Sequence, residues 1–307
     1  MRLNTITIAV MKTHHFIFGY GSLVCSKSRK ITAPTLTKPA HPVSIEHLRR
    51  SWTARVPTLS NKNGASETRE EMNIPEDLFH GQTAMGIERA RGHKCTGVLI
   101  EVNATELKQF DKREKGYDRV EIELHHVYPI SENHEDDLEH IVLRTAHDRR
   151  SSSISSSKDD TENNKDEDDH EKPLSVAKVW VYLPKQGTPA NHRYPIMQSY
   201  VDIIVRGCLG ISEEFTRKFL ETTHGWWHDD NDGNGDEEAS GSGSGSPSPQ
   251  YIWVDDRHAP YYIRADEEWS KEMKHIVDQY LHESQAESFK KRMHLDRLES
   301  NVSESDE

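Results

Sequence analysis

The chain has 307 residues, 33% of them hydrophobic, and a formal net charge of -13 at pH 7. That charge is unevenly placed: residues 158–171 hold eight acids against two bases, residues 229–238 six against none, and residues 296–307 five against one. The remainder is close to neutral, so no basic stripe is left to suit nucleic acid, and the acidity belongs to solvated segments. Three cysteines, Cys25, Cys95 and Cys208, are odd in number and widely spaced, which predicts free thiols in a reducing compartment, the cytoplasm. The apolar run at 6–11 is too short and too rich in threonine for a secretory signal, and no stretch approaches a membrane span.

In chain order, residues 1–14 read as a leader. A strand is predicted over 15–20, and it runs into Gly19-Tyr20-Gly21-Ser22-Leu23. Glycine permits a positive φ and a close approach to the backbone, so this is either a tight turn or a nest of amides for an anion. It fits neither the dinucleotide fingerprint nor a phosphate loop with its lysine. A second strand is expected over 95–102, then a helix capped by Asn103 with Glu106 three residues on, Leu107 and Phe110 facing inward and Gly116 as a stop. Val120, Ile122 and Leu124 alternate as in a half-buried strand. If that strand continues, His125 and His126 point to opposite faces and cannot readily share an ion, so no metal is expected.

Residues 148–172 read as a disordered acidic insertion, followed by a strand over 177–183 and helices over 196–208 and 213–222. Residues 229–250 form a flexible acidic Gly/Ser linker; Asp230 to Gly235 begins like a calcium loop, but Gly241 stands where its glutamate belongs. Residues 251–285 form a strap and a helix packing on the same domain, and 286–307 a charged tail. Trp226, Trp227 and Trp253 suit an apolar strap or a lid over a site. The helix shows Met273, Ile276 and Tyr280 on one face. What remains within 15–228 is one domain's worth of chain. Strands with few, short helices predict an α+β fold: a small mixed β-barrel or strongly curved sheet.

Asp111-Lys112-Arg113-Glu114-Lys115-Gly116-Tyr117 is a solvated helix end or the seat of a base. A glutamate at a helix C-terminus faces the negative end of the dipole, which raises its pKa, while Arg113 and Lys115 oppose that shift.

Taken together, the F-G-Y-G-S-L loop at 18–23 and the D-x-R-E-x-G-Y segment at 111–117, in that order and about ninety residues apart, resemble the γ-glutamylcyclotransferase family, most nearly its ChaC-like and plant-type members. Residues 48–52, 83–87, 179–183 and 196–208 are similar to further strands and a closing helix of that family. The resemblance implies the γ-glutamylcyclotransferase-like fold and a cofactor-free, metal-free lyase or acyltransferase that takes a small-molecule γ-glutamyl substrate, glutathione among them. Such an enzyme cyclises the γ-glutamyl group to 5-oxoproline and releases an amine, amino acid or dipeptide. It implies Glu114 as general base, Tyr20, Gly21, Ser22 and Leu23 as the substrate loop, and Tyr117, Tyr182 and Tyr200 as pocket residues. It implies no nucleic acid and no membrane as partners. Lys115 departs from the double glycine usual in ChaC-like members, so substrate identity stays open. The alternative is a catalytically silent relative that binds a γ-glutamyl ligand or a protein; the presence of Glu114 favours catalysis.

Overall fold

A computed structural model of the chain describes residues 12–57, 79–130, 175–226 and 252–295. Strand β1 (Lys12–Gly19) is the central strand, because Phe16, Ile17 and Phe18 are all buried and both of its faces must therefore be covered. It pairs in parallel with β6 (Ser175–Pro184) on one side and antiparallel with β3 (Gly81–Val102) on the other. β2 (Ala40–Pro57), β4 (Tyr117–Ile122) and β5 (Val127–Pro129) complete the order β4-β6-β1-β3-β2-β5, and β8 (Thr223–His224) adds to β2. This is the mixed, α+β, curled half-barrel sheet that the strand pattern calls for.

The long β2–β3 hairpin bends where its register jumps: Glu46 faces Lys94 but Leu48 faces Arg89, with a second shift between Trp52 and Ala54. Residues 90–93 are the surplus at the first bulge. There Gly92 takes φ 84°, a left-handed conformation that glycine adopts at no steric cost, and His47 takes φ 61°.

Between β1 and β2 lie a 3-10 turn (Ser22–Val24) and helix α1 (Ser26–Thr32). Helix α2 (Ala104–Arg113) starts with the expected capping box. Asn103 accepts from the amides of Thr105 (2.8 Å) and Glu106 (2.9 Å), and Glu106 accepts from the Asn103 amide (2.9 Å). The alternation ends at Ile122. Leu124 and both histidines form a short 3-10 turn (Leu124–His126), so His125 and His126 do not alternate across a strand; their ring centroids lie 4.0 Å apart.

After the two-residue β7 (Ile196–Met197), helix α3 (Gln198–Leu209) runs through the body, with ten of its twelve residues buried; it is enclosed on all sides rather than amphipathic. Gly207 makes this possible on one side, since a Cβ there would stand 2.5 Å from the Cys25 backbone nitrogen. Helix α4 (Glu213–Glu221) buries Phe215, Phe219 and Leu220, as its pattern predicts. The fully buried Arg50 of β2 ties α4 to the hairpin. It donates to the carbonyls of Thr96 and Phe219 and to the hydroxyls of Thr222 (3.0 Å) and Thr223 (2.8 Å).

The C-terminal part joins the same core. β9 (Trp253–Asp255) lies between β7 and β10 (Met293–His294) in a small parallel sheet, and helix α5 (Glu267–Lys290) follows. Trp226 stands between Trp52 and Trp253, with centroids 4.9 and 4.8 Å away. Among the described residues no helix is long and apolar enough to cross a membrane. The predicted insertion at 148–172, the linker at 229–250 with its calcium-like stretch, Trp227, residues 1–11 of the leader and the tail beyond 295 lie outside the described residues.

Candidate active site

Because β1 and β6 are parallel, their C-terminal ends emerge at the same edge of the sheet. β1 ends at Gly19 and the chain turns at once. The Val24 amide donates to the Gly21 carbonyl (2.9 Å) and the Cys25 amide to that of Ser22 (3.2 Å). The amides of Ser22 and Leu23, first in this turn, have no acceptor within it. Buried Arg29 holds the turn from behind, donating to the carbonyls of Leu23 and Val24 at 2.7 Å each, and its burial draws its pKa down to about 10.

The loop glycines do not have positive φ, contrary to the expectation; Gly21 has φ -131°. Space is the reason for glycine here. A Cβ on Gly21 would stand 2.9 Å from the Tyr200 hydroxyl, and one on Gly19 would stand 3.0 Å from Leu23 Cβ.

Glu114 reaches the loop from the far side as the C-cap of α2. Its side chain is 15% exposed, and its carboxylate lies 2.9 Å from Arg113 Nε. The remaining Arg113 donors go to Ser22 Oγ (2.9 Å), Thr32 Oγ1 (2.7 Å) and both oxygens of Ser28 (3.1 and 3.2 Å). One guanidinium thus connects the carboxylate, the loop and α1, with all five of its N–H groups engaged. The direction of the Glu114 shift is upward: burial raises its pKa, and the opposing charges of Arg113 and Arg264 do not cancel the rise. Desolvation, rather than the helix dipole, is the leading cause.

The four tyrosines implied by the resemblance converge here. Tyr20 donates its hydroxyl to the Tyr182 carbonyl, and Tyr182 donates to Asp111 Oδ1 (2.8 Å), itself paired with Arg119. Tyr117 donates to the Met85 carbonyl (3.4 Å), and the Tyr200 hydroxyl lies against Gly21, where a Cβ would stand 2.9 Å from it. Burial first, then neighbouring phenols and the Glu114 carboxylate, raise the pKa of Tyr20, Tyr117 and Tyr200; burial and the Asp111 hydrogen bond raise that of Tyr182. All four are therefore neutral hydroxyls at physiological pH. Leu23 offers only its backbone, since its side chain packs into the core. The arrangement can take a proton on a largely enclosed carboxylate.

No protein-family model matches the chain, and no curated protein matches it. Solved structures do. The chain is similar to the uncharacterized protein loc79017 from Homo sapiens (14% identity, TM-score 0.36, 67% of this chain and 86% of that one). It is similar to a γ-glutamyl cyclotransferase (14%, 0.35, 67% and 86%) and to a γ-glutamyl cyclotransferase specific to glutathione from yeast (12%, 0.36, 68% and 95%). These likenesses concern the course of the chain, not its chemistry.

Three residues of the site escape the sequence reading. Arg113 lies inside the recognised segment, but only the fold puts it against Ser22. Tyr262, with its ring 4.8 Å from Tyr200, and Arg264, whose charge acts on Glu114, come from the C-terminal segment. That segment combines the two readings of it: Trp226 and Trp253 pack as a strap, while Tyr262 and Arg264 border the site. Elsewhere Glu46, His47 and His126 bring potential ligand atoms within 4.8 Å of one another. The Glu46 carboxylate is already held by Lys94 (3.0 Å) and the Tyr128 hydroxyl (3.1 Å), however, and His47 Nδ1 accepts from the Gly92 amide (3.3 Å).

Proposed function

We propose that the chain is an enzyme of γ-glutamylcyclotransferase type, cyclising a γ-glutamyl group to 5-oxoproline. The observation that carries this reading is Glu114: a largely enclosed carboxylate of raised pKa, joined through Arg113 to Ser22 of the glycine loop, at the positions the two sequence motifs mark.

The substrate's own α-amine is the nucleophile and its γ-carbonyl carbon the electrophile, so the two arrive tethered and the site need only fold them together. Glu114 takes a proton from the amine as the new C–N bond forms. Charge then collects on the γ-carbonyl oxygen, where the Ser22 and Leu23 amides stand as donors. When the original γ C–N bond breaks, Glu114 returns a proton to the departing nitrogen, which leaves as an amine, amino acid or dipeptide. The raised pKa suits both duties. No step calls for a cofactor.

Glutathione, γ-glutamyl amino acids and γ-glutamylamines share this reacting end. We read residues 15–228 as one catalytic domain, completed by the segment after 250. Three free, buried cysteines fit the cytoplasm.

The test is 5-oxoproline release from a panel of γ-glutamyl compounds by the parent protein and Glu114→Gln. The expected result is product from the parent and a fall in kcat on the order of 10²–10⁴-fold in the variant, with its fold intact. A well-folded parent that releases nothing from any member of the panel would instead favour a silent, ligand-binding relative.

A further inference from the structure

Arg264 has no structural employment that accounts for it. Its Nε is buried and without a hydrogen-bond partner among the described residues, whereas all the donors of Arg113 are matched. Leaving a guanidinium nitrogen dry and unpaired is costly, so such a group in a native structure calls for an absent partner.

The turn that carries it is held at both ends. On one side the Tyr261 amide donates to Asp256 Oδ2 (2.7 Å) and the Tyr262 amide to Ser199 Oγ (3.1 Å), and Tyr262 packs on Tyr200, whose hydroxyl adjoins Gly21. On the other, Asp266 pairs with Lys27 (2.5 Å) and Arg206. The Ala265 amide closes the turn onto the Tyr262 carbonyl (2.8 Å). Ile263 is 79% exposed, whereas the next residue, Arg264, buries its Nε, and its charge acts on Glu114.

The pairing of charges says what is missing. Glu114 faces two cations, Arg113 and Arg264, while the nearby Asp111 is answered by Arg119. Of these three arginines Arg264 is the one with no carboxylate in contact among the described residues, and its charge acts on the carboxylate that is to take the proton of the attacking amine. In a γ-glutamyl compound the carbon bearing that amine also bears the α-carboxylate.

Resting on the cyclotransferase reading, we infer that Arg264 binds the α-carboxylate of the substrate. The C-terminal segment thereby selects γ-glutamyl compounds whose α-carboxylate is free, and leaves the loop amides to the γ-carbonyl oxygen. Arg264 is half-exposed and its Nε has no protein partner to orphan, so Arg264→Gln should fold.

The experiment compares parent, Arg264→Gln and Arg264→Lys on a γ-glutamyl amino acid and on the same compound with its α-carboxylate converted to a carboxamide. The parent should prefer the acid. In Arg264→Gln, kcat/KM on the acid should fall about 10- to 100-fold, chiefly through KM, while the amide changes by less than about 3-fold. Arg264→Lys should retain part of the preference. Removing the cation should also move the acid limb of the pH profile upward, because Arg264 opposes the rise in the Glu114 pKa. An equal loss on acid and amide would mark a structural role and overturn the inference, as would no loss at all. If Arg264→Gln misfolds, the acid-to-amide ratio of Arg264→Lys decides, and a ratio equal to the parent's overturns it. In either of those cases an active parent leaves the cyclotransferase reading standing, whereas a folded parent inactive on the acid removes both.

Discussion

Two clusters of charge, one at the anchor of the C-terminal segment and one at the candidate site, are built differently. At the anchor of the C-terminal segment, Arg257 gives Nε and Nη2 to the two oxygens of Asp202 at 2.8 Å and Nη1 to Asp278 at 2.8 Å, and Arg292 joins Asp278 from the other side. At the site, Arg113 is equally well occupied, but Arg264 keeps a buried nitrogen unpaired and Glu114 keeps a raised pKa. Among the described residues every guanidinium nitrogen of Arg257 meets a carboxylate, although Asp255 Oδ2 beside it accepts no hydrogen bond, whereas at the site Arg264 Nε meets none. A folded protein uses the first kind to fix geometry, and its members are expected to matter for stability and not for chemistry.

The largest effect should come from breaking the anchor cluster. Arg257→Met leaves Asp202, fully buried, without its counter-ion, and should lower the unfolding free energy by about 3–5 kcal/mol in urea titrations. Glu114→Gln at the candidate site should change it by less than about 1 kcal/mol. A reversed ranking would sink the distinction.

Next is Asp256, which fastens the strap to α3 by accepting from the Ser199 amide (2.8 Å), the Ser199 hydroxyl (2.6 Å) and the Tyr261 amide. Burial nevertheless dominates and pushes its pKa up to about 6 from 3.8. The folded state then holds this proton more tightly than the unfolded one, so its contribution to stability is present below about pH 4 and is lost as pH rises through about 6. The stability of the parent relative to Asp256→Asn should drop by roughly 3 kcal/mol across that window. Unfolding curves at half-unit pH steps would show it, and a flat difference would mean the three donors cancel the effect of burial.

The smallest effect sharpens the site itself. Gly21→Ala sets a methyl 2.9 Å from the Tyr200 hydroxyl, so the loop must retreat. Steady-state kinetics should show kcat/KM lower by about 10- to 100-fold with little change in melting temperature. An unaffected rate would mean that the loop does not touch the reacting group.

The parts of this arrangement that were legible in the sequence are those set by neighbours in the chain. The β1 strand with its glycine exit, the capping box at Asn103 and the apolar faces of α4 and α5 all follow from local pattern, and so does the position of Glu114 at a helix end. What was hidden depends on contacts across the chain. Gln198, Ser199 and Asp202 read as the polar side of an amphipathic helix, yet all are buried, because Arg257, Asp256 and Arg292 arrive to satisfy them. Arg264 sits about 150 residues from Glu114, and nothing in its local pattern distinguishes it from a surface arginine. His47 and His126 meet where β2 is bulged and a 3-10 turn replaces the strand on which the face of His126 was judged.

Arg50 has a consequence for how the chain reaches this state. Its guanidinium is enclosed by the β2–β3 hairpin, yet its Nη2 acceptors are the Phe219 carbonyl, in the last turn of α4, and the Thr222 hydroxyl just beyond it. A hairpin formed ahead of α4 would hold a cation with only the Thr96 carbonyl and the Cys95 sulfur to offset its desolvation, and an α4 undocked from the hairpin would leave its end uncapped. Neither can be well populated alone. The two, more than 150 residues apart at Arg50 and Phe219, should therefore open as one unit, with amides around Arg50 and those of α4 exchanging hydrogen at a common free energy.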